Sequence, residues 1–184
     1  FGAISLIPEP CGSTYEALCA REHASRVISL DPNIRPGFIR DREAHRDRIL
    51  RMARQADIVK FSDEDLEWFG IEGDHDTLAS HWLKLGPKLV VITRGAEGAV
   101  AYSPAHKVEV PSERVEVVDT VGAGDTFDAG VLASLKRDRL LTKAAVAALD
   151  RAAIERALAL GAKAAAVTVS RAGANPPWAH EIGL

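Results

Sequence analysis

Short apolar runs and longer stretches with helical spacing follow one another along the chain. The clearest strand is the apolar run 88–93, and shorter runs of the same kind lie at 27–30 and 57–61. Apolar residues recur at helical spacing after Asp125, and an alanine-rich helical stretch covers about 150–170. Strands that alternate with helices predict an α/β fold with a mainly parallel central sheet flanked by helices.

Local signals predict the remaining elements. Further strands are predicted at 1–6, 99–102, 107–110 and 114–118. Further helices are predicted after a capping box at 13–16, over 41–54, from Asp76 as a cap to Gly86 as a stop, and from Thr142. Because no repeat, low-complexity segment or linker is visible, we expect residues 1–184 to form a single domain.

Composition and charge narrow the functional classes. The net charge is −3 without a basic cluster, which gives no electrostatic reason to expect nucleic acid as a partner. No apolar run approaches the roughly 20 residues that span a membrane, and no signal peptide is visible, so we expect a cytoplasmic enzyme or binding domain. Cys11 and Cys19 are expected to be free thiols.

The beginning of the chain has the pattern of a buried strand. Phe1-Gly2-Ala3-Ile4 has no initiator methionine before it. We therefore expect that an N-terminal portion precedes this sequence in the natural protein.

The stretch Val118–Phe127 carries the clearest chemical signal. Its pattern predicts a strand that ends at Asp119, a tight run of small residues, and a helix that begins near Asp125. Gly122 and Gly124 allow a sharp turn, and the first N–H groups of a helix attract anions. A carboxylate beside a bound phosphate is suited to accept a proton from an attacking hydroxyl. The alternative is that Asp125 is an ordinary first-turn acid that complements the helix dipole.

The segment Asp119–Gly130 resembles the C-terminal signature of the ribokinase/PfkB-type sugar kinases, Asp-Thr-x-Gly-Ala-Gly-Asp-x-Phe. The resemblance extends over essentially all 184 residues and includes segments 31–35, 59–62 and 91–98. Among members of the family, the Asp-Pro-Asn-x-Arg-Pro loop and the Lys-x-Ser-Asp-Glu-Asp stretch are most similar to bacterial fructokinases. The resemblance implies a ribokinase-like three-layer sandwich that lacks the N-terminal strands and the lid.

The resemblance also implies roles for individual residues around the phosphates of ATP. Asp125 matches the catalytic base, and Gly122, Ala123 and Gly124 match the anion hole. The family's nucleotide-binding positions correspond to Thr93, Gly95, Gly98, Thr120 and Asn175. The alanine-rich face with Ala164, Ala165 and Val167 matches the region that shelters adenine, although such a face also packs closely for its own sake.

Other matches leave two interpretations open. Lys60 either reaches phosphate oxygens or extends its ammonium to solvent at the strand end. Ser62 and Asp65 replace the family's Asn-x-x-Glu, so they either organise Mg²⁺ through water or form a helix cap with an exposed acid. Asp119 either helps to hold K⁺ or caps a turn.

Arg35, with Asn33 in the same loop, is a candidate anion clamp for a phosphate or an acidic substrate. A similar loop occurs in 2-keto-3-deoxygluconate kinases, so it does not decide the substrate.

The expected function is phosphorylation of a sugar hydroxyl with ATP and Mg²⁺, with K⁺ as a further candidate cofactor. Fructokinase activity, which converts D-fructose and ATP to fructose 6-phosphate and ADP, is the first expectation. The alternatives are a 2-keto-3-deoxygluconate kinase, a ribokinase or a nucleoside kinase. A non-catalytic nucleotide-binding member or fragment is the alternative from another class. Partners are expected to be the sugar and ATP, with neither nucleic acid nor membrane, and a homodimer would form through the lid that this sequence lacks.

Overall fold

The computed structural model describes residues 1–184, with five strands and seven α-helices. The strands form one sheet in chain order: β1 (Ser29–Leu30), β2 (Ile58–Ser62), β3 (Leu89–Thr93), β4 (Ala99–Tyr102) and β5 (Lys107–Val110). The helices are α1 (Cys11–Glu22), α2 (Arg42–Ala53), α3 (Asp63–Phe69), α4 (His75–Leu85), α5 (Ala123–Arg137), α6 (Lys143–Ala147) and α7 (Arg151–Val169). No helix combines the length and apolar character needed to cross a membrane.

The chain divides into two compact units. The first contains Phe1–Ile92, Tyr102–Ala105 and Thr142–Ala148, and the second contains Thr93–Ala101, His106–Leu141 and Leu149–Leu184. Units defined by internal packing need not unfold separately, so the single domain stays a prediction.

The first unit is built around the parallel pair β1 and β2, in which Ser29 lies opposite Ile58 and Leu30 opposite Val59. The fully buried Phe61 and Trp82 pack with their ring centroids 4.4 Å apart, and Phe69 contacts both rings. A buried carboxylate also stabilises this unit, since both oxygens of Asp57 lie 2.8 Å from the Lys143 ammonium.

Arg48 of α2 fastens α1 within the same unit. Its guanidinium donates to the carbonyl of Leu6 at 2.8 Å and to the carboxylate of Glu16 at 3.2 Å, and it also bonds Glu9. A Cβ at Gly12 would lie 2.2 Å from a guanidinium nitrogen of Arg48. Gly12 therefore makes room for the arginine.

The second unit is dominated by the packing of α5 against α7. A Cβ at Gly130 would lie 2.7 Å from the Cα of Gly161, and a Cβ at Gly161 would lie 2.9 Å from the carbonyl oxygen of Phe127. These clashes involve backbone atoms, which cannot give way as a flexible side chain does. The two glycines therefore allow the helix axes to approach more closely than any side chain would permit.

Several predicted elements are wrong. Ala3–Leu6 is a 3₁₀ helix, and only Gly2 pairs as a strand would, in an isolated parallel bridge with Asp31. The segment 114–118 contains no strand. Ser13 lies inside α1, where its hydroxyl bonds the carbonyl of Pro10, and the cap of α4 is Asp74 instead of Asp76.

Other predictions are confirmed. β4 and β5 have the expected bounds, and α2 and α7 begin after the caps Asp41 and Asp150. Cys11 and Cys19 are free. The predicted α/β fold with a helix-flanked sheet is also confirmed, although the sheet is mixed.

Candidate active site

The start of α5 carries the central candidate residues in the second unit. Gly122 is the N-cap, with a left-handed φ of 78°, and no side chain caps this end of the helix. The helix begins at Ala123, two residues before the expected start, so Ala123 and Gly124 belong to its first turn. By helix geometry, the N–H groups of Gly124 and Asp125 have no partner within the helix. The helix start therefore presents backbone donors beside the exposed carboxylate of Asp125.

Backbone and hydroxyl contacts fix the turn that leads into α5. The N–H of Ala123 donates to the carbonyl of Thr120 at 3.2 Å. The carbonyl of Gly122 accepts from both the N–H of Thr126 at 2.9 Å and its hydroxyl at 2.8 Å. Thr120 itself is exposed, so its role at the nucleotide stays a prediction.

Asp119 connects this turn to a loop more than fifty residues later in the chain. One carboxylate oxygen accepts the N–H of Val121 at 3.0 Å, and the other accepts the N–H of Gly173 at 2.9 Å. These two donors hold the pKa of Asp119 below its usual value of 3.8. A Cβ at Gly122 would lie 3.2 Å from that of Ala174, so the turn and the loop that carries Asn175 are in contact.

Three further candidates lie where β3 leads into β4: Thr93 is the last residue of β3, and Gly95 and Gly98 lie in the connection. A 3₁₀ turn spans Gly95–Glu97, and Gly95 and Gly98 have positive φ of 52° and 90°. A Cβ at Gly98 would lie 2.1 Å from the carbonyl oxygen of Val110. Both glycines are therefore required by the backbone, as a plain turn also demands, and the nucleotide-binding role stays a prediction.

Alanines of α7 were expected near adenine. Ala164 is buried in a cluster with Leu160 and Ile182, and Val167 packs against this cluster. Close packing therefore explains Ala164. Ala165 is half-buried, and its role at adenine stays a prediction.

In the first unit, a buried ion pair lies at the carboxyl ends of β1 and β2. The ammonium of Lys60 lies 2.9 Å from a carboxylate oxygen of Asp31, and the two side chains are 4% and 10% exposed. The other oxygen of Asp31 accepts the N–H of Asn33 at 3.1 Å. The Lys60 ammonium is thus buried on a carboxylate and does not extend to solvent.

Ser62 and Asp65 form the cap of α3. The hydroxyl of Ser62 accepts the N–H of Asp65 at 3.2 Å, and a carboxylate oxygen of Asp65 accepts the N–H of Ser62 at 2.8 Å. The other oxygen accepts the N–H of Ile34 at 2.6 Å, and Asp65 is only 3% exposed. Of the two interpretations, the helix cap is observed with a buried acid, and the magnesium role stays a prediction.

The loop between β1 and α2 carries Asn33 and Arg35. Asn33 has a left-handed φ of 42°, which asparagine tolerates better than most residues. The exposed guanidinium of Arg35 donates to the carbonyl of Ile34 at 2.9 Å. The positive side chain of Arg35 therefore follows directly after two backbone amides that bond the carboxylates of Asp31 and Asp65.

Comparison with known proteins gives these clusters a context. The family model for "pfkB family carbohydrate kinase" matches residues 2–181. The chain belongs to the pfkB family of carbohydrate kinases. The predicted family is thereby confirmed.

Two curated fructokinases are similar to the chain in sequence. A fructokinase from Rhizobium leguminosarum bv. trifolii is 73% identical over 154 residues, which cover 84% of the chain and 47% of that protein. Fructokinase-1 from Oryza sativa subsp. japonica is 34% identical over 184 residues, which cover 99% of the chain and 55% of that protein. The chain thus spans about half the length of these curated relatives.

Two kinases of known structure have a similar fold. Aminoimidazole riboside kinase from Salmonella enterica, solved with aminoimidazole riboside and an ATP analogue, has a TM-score of 0.85 at 25% identity, with 100% of the chain and 60% of that protein covered. A fructokinase from Vibrio cholerae O395, solved with fructose, ADP and calcium, has a TM-score of 0.80 at 28% identity, with 95% and 55% covered.

Sequence reasoning missed Asp31 as a residue of the first unit's cluster. The chain signals it only indirectly, as an acid directly after an apolar strand whose neighbouring strand carries a lysine among apolar residues. A buried lysine needs a partner, and parallel strands bring their carboxyl ends to one edge.

Proposed function

We propose that the chain is the nucleotide-binding and catalytic portion of an ATP-dependent fructokinase. The 73% identity to the Rhizobium fructokinase carries the choice of substrate. The uncapped start of α5 beside the exposed Asp125 supports the chemistry. Because the chain spans only about half of its relatives, this is a proposal about the whole protein.

The proposed reaction is a phosphoryl transfer from ATP. A hydroxyl oxygen of the sugar forms a bond to the γ-phosphorus while the bond from that phosphorus to the β-phosphate oxygen breaks and ADP leaves. Asp125 accepts the hydroxyl proton. The N–H groups of Gly122 and Gly124 stabilise the negative charge on the transferring phosphoryl group, whereas the N–H of Ala123 already donates to the carbonyl of Thr120. Such transfers depend mostly on alignment and charge stabilisation, which a fixed helix start supplies.

The proposed reaction also requires cations at the phosphates of ATP. The family's Mg²⁺ usually keeps several waters and binds substrate phosphates, so the contacts of Asp65 with backbone N–H groups do not conflict with it. Asp119 is a candidate for a K⁺ site because its carboxylate already lies between two loops. The cytoplasmic location and the homodimer stay predictions.

ADP release from the complete gene product tests the proposal. We expect D-fructose to raise ADP release well above the rate with ATP alone, with transfer of phosphate to the sugar. The same panel includes ribose, 2-keto-3-deoxygluconate and nucleosides, because the fold is also similar to aminoimidazole riboside kinase. A preference for one of these would replace fructose, and no stimulation by any compound would favour a non-catalytic member of the family.

A further inference from the structure

Two neighbouring amides of the loop that carries Arg35 are held by two different carboxylates. Asp31 accepts the N–H of Asn33 at 3.1 Å, and Asp65 accepts the N–H of Ile34 at 2.6 Å. Both residues are buried, with whole-residue exposed fractions of 7% for Asp31 and 3% for Asp65. The backbone immediately before Arg35 is therefore fixed from two sides.

Each of these carboxylates is itself fixed by a neighbouring group. The ammonium of Lys60, on the buried strand β2, holds the second oxygen of Asp31 at 2.9 Å. The N–H of Ser62, at the end of the same strand, holds the second oxygen of Asp65 at 2.8 Å. Both supports of the loop therefore originate from the last residues of β2.

We propose that Lys60 and Asp65 are positioning residues that act through the loop 31–35 to orient Arg35 for phosphoryl transfer. This inference rests on the proposed function. The path is Lys60 to Asp31, Asp31 to the amide of Asn33, and in parallel Asp65 to the amide of Ile34. Lys60 thus acts on the reaction through a carboxylate and not by contact with a phosphate.

The burial of the pair explains why a lysine is used in this place. A buried ammonium and a buried carboxylate neutralise one another, and the second oxygen of this carboxylate accepts from the backbone. Because misplacement of a substrate-positioning group by about 1 Å can cost about 100-fold in rate, a loop fixed at consecutive residues is a physical advantage.

Kinetics of the complete gene product with fructose and ATP test the path. We expect Lys60→Met to lower kcat/KM by about 100-fold. In an Arg35→Met background, Lys60→Met should lower kcat/KM by no more than about twofold, because its effect depends on Arg35. A twofold change is about the error with which the free energies of independent mutations add. The loss of thermal stability should be similar in both backgrounds, so a purely structural role is distinguishable. Lys88→Met, which removes an exposed lysine before β3, is the matched control and should leave kcat/KM and thermal stability unchanged.

Lys60→Met removes the ammonium that neutralises the buried carboxylate of Asp31 and so threatens folding. The pair replacement Asp31→Leu with Lys60→Met removes both charges and should fold, yet should keep the kinetic loss. For the second support, Asp65→Asn should lower kcat/KM, whereas Glu64→Gln, the exposed neighbour in the same first turn, should not.

Hydrogen exchange supplies a readout without substrate. In the pair replacement, the amide of Asn33 should exchange faster because it loses its acceptor, while the amides of α4 stay unchanged. The inference is overturned if exchange at 31–35 does not change, or if the effect of Lys60→Met persists fully in the Arg35→Met background. A wild-type protein that is inactive with every sugar would instead contradict the proposed function, and the exchange result would still decide whether the pair holds the loop.

Discussion

Asp125 illustrates how much one position depends on the backbone around it. It lies in the first turn of α5, and the left-handed Gly122 directs the chain into that turn. A side chain at Gly122 would both strain the backbone and approach Ala174 at 3.2 Å. The carboxylate is thus placed by glycine geometry and not by a hydrogen bond of its own that would restrict its chemistry.

Replacement of Asp125 by asparagine removes the proton acceptor and keeps the shape. We expect Asp125→Asn to lower kcat by about 10² to 10⁴ and to leave nucleotide affinity nearly unchanged. Steady-state kinetics and calorimetric titration with an ATP analogue on the complete gene product measure the two effects.

Asp150→Asn is the matched control for this change. It removes the same charge from the start of α7, where asparagine can still cap the helix. The control should keep full activity. Full activity of Asp125→Asn itself would exclude it as the base.

At the scale of elements, the packing of α5 on α7 fixes the direction of the helix that carries Asp125. A glycine within a helix, such as Gly161 in α7, ordinarily costs about 1 kcal/mol relative to alanine. The structure shows instead that a Cβ there would lie 2.9 Å from the carbonyl oxygen of Phe127. Spacing along one helix cannot reveal such a contact, because it depends on the partner helix.

Gly130→Ala tests this packing. Alanine improves helix propensity by about 1 kcal/mol, but overpacking against backbone atoms typically costs about 1–3 kcal/mol, so we expect a net loss of stability. Because α5 must shift, kcat should also fall. Chemical denaturation and kinetics of the complete gene product measure both effects.

Ala129→Gly, at an exposed position of the same helix, serves as the comparison. It should cost about 1 kcal/mol of stability through propensity alone and leave kcat unchanged. If Gly130→Ala were as stable and as active as the wild type, the close approach would not be the constraint.

The elements that sequence reasoning predicted correctly are those with a strong local pattern. β4 follows from a short apolar run, β5 from apolar alternation, and the capped helix α2 from Asp41 before the helix. The pattern was misleading at 114–118, where alternating valines favour a strand. The structure has no strand there, and Val117 is 60% exposed. The site residues in sequence motifs were found, whereas Asp31 was missed because its partner lies 29 residues away on another strand.

At the scale of the whole molecule, stability should depend on pH through the buried His45. Burial lowers the pKa of His45 below its usual value of 6.5, and the nearby Arg48 cation lowers it further. The folded state therefore favours neutral histidine. Its stabilising contribution is complete above pH 6.5 and is lost as the pH falls from there toward the folded-state pKa, because the unfolded chain then binds the proton first.

The comparison of wild type with His45→Gln isolates this effect. Between pH 7.5 and pH 5.5, the unfolding free energy of the wild type should decrease relative to that of the variant, by at most about 1.4 kcal/mol per pH unit. Urea denaturation of the complete gene product at both pH values measures the difference. Parallel pH dependences of the two proteins would show that His45 does not titrate in this window.

The facing pair Gly130 and Gly161 also limits how the protein can be redesigned. A Cβ at Gly130 would meet the backbone of Gly161, and a Cβ at Gly161 would meet the carbonyl oxygen of Phe127, so neither position can be enlarged while the opposite helix stays where it is. A larger residue at either position would therefore require the backbone of the two helices to move apart. Libraries intended to change sugar preference should therefore leave both glycines constant and place diversity at positions where an added atom meets a side chain.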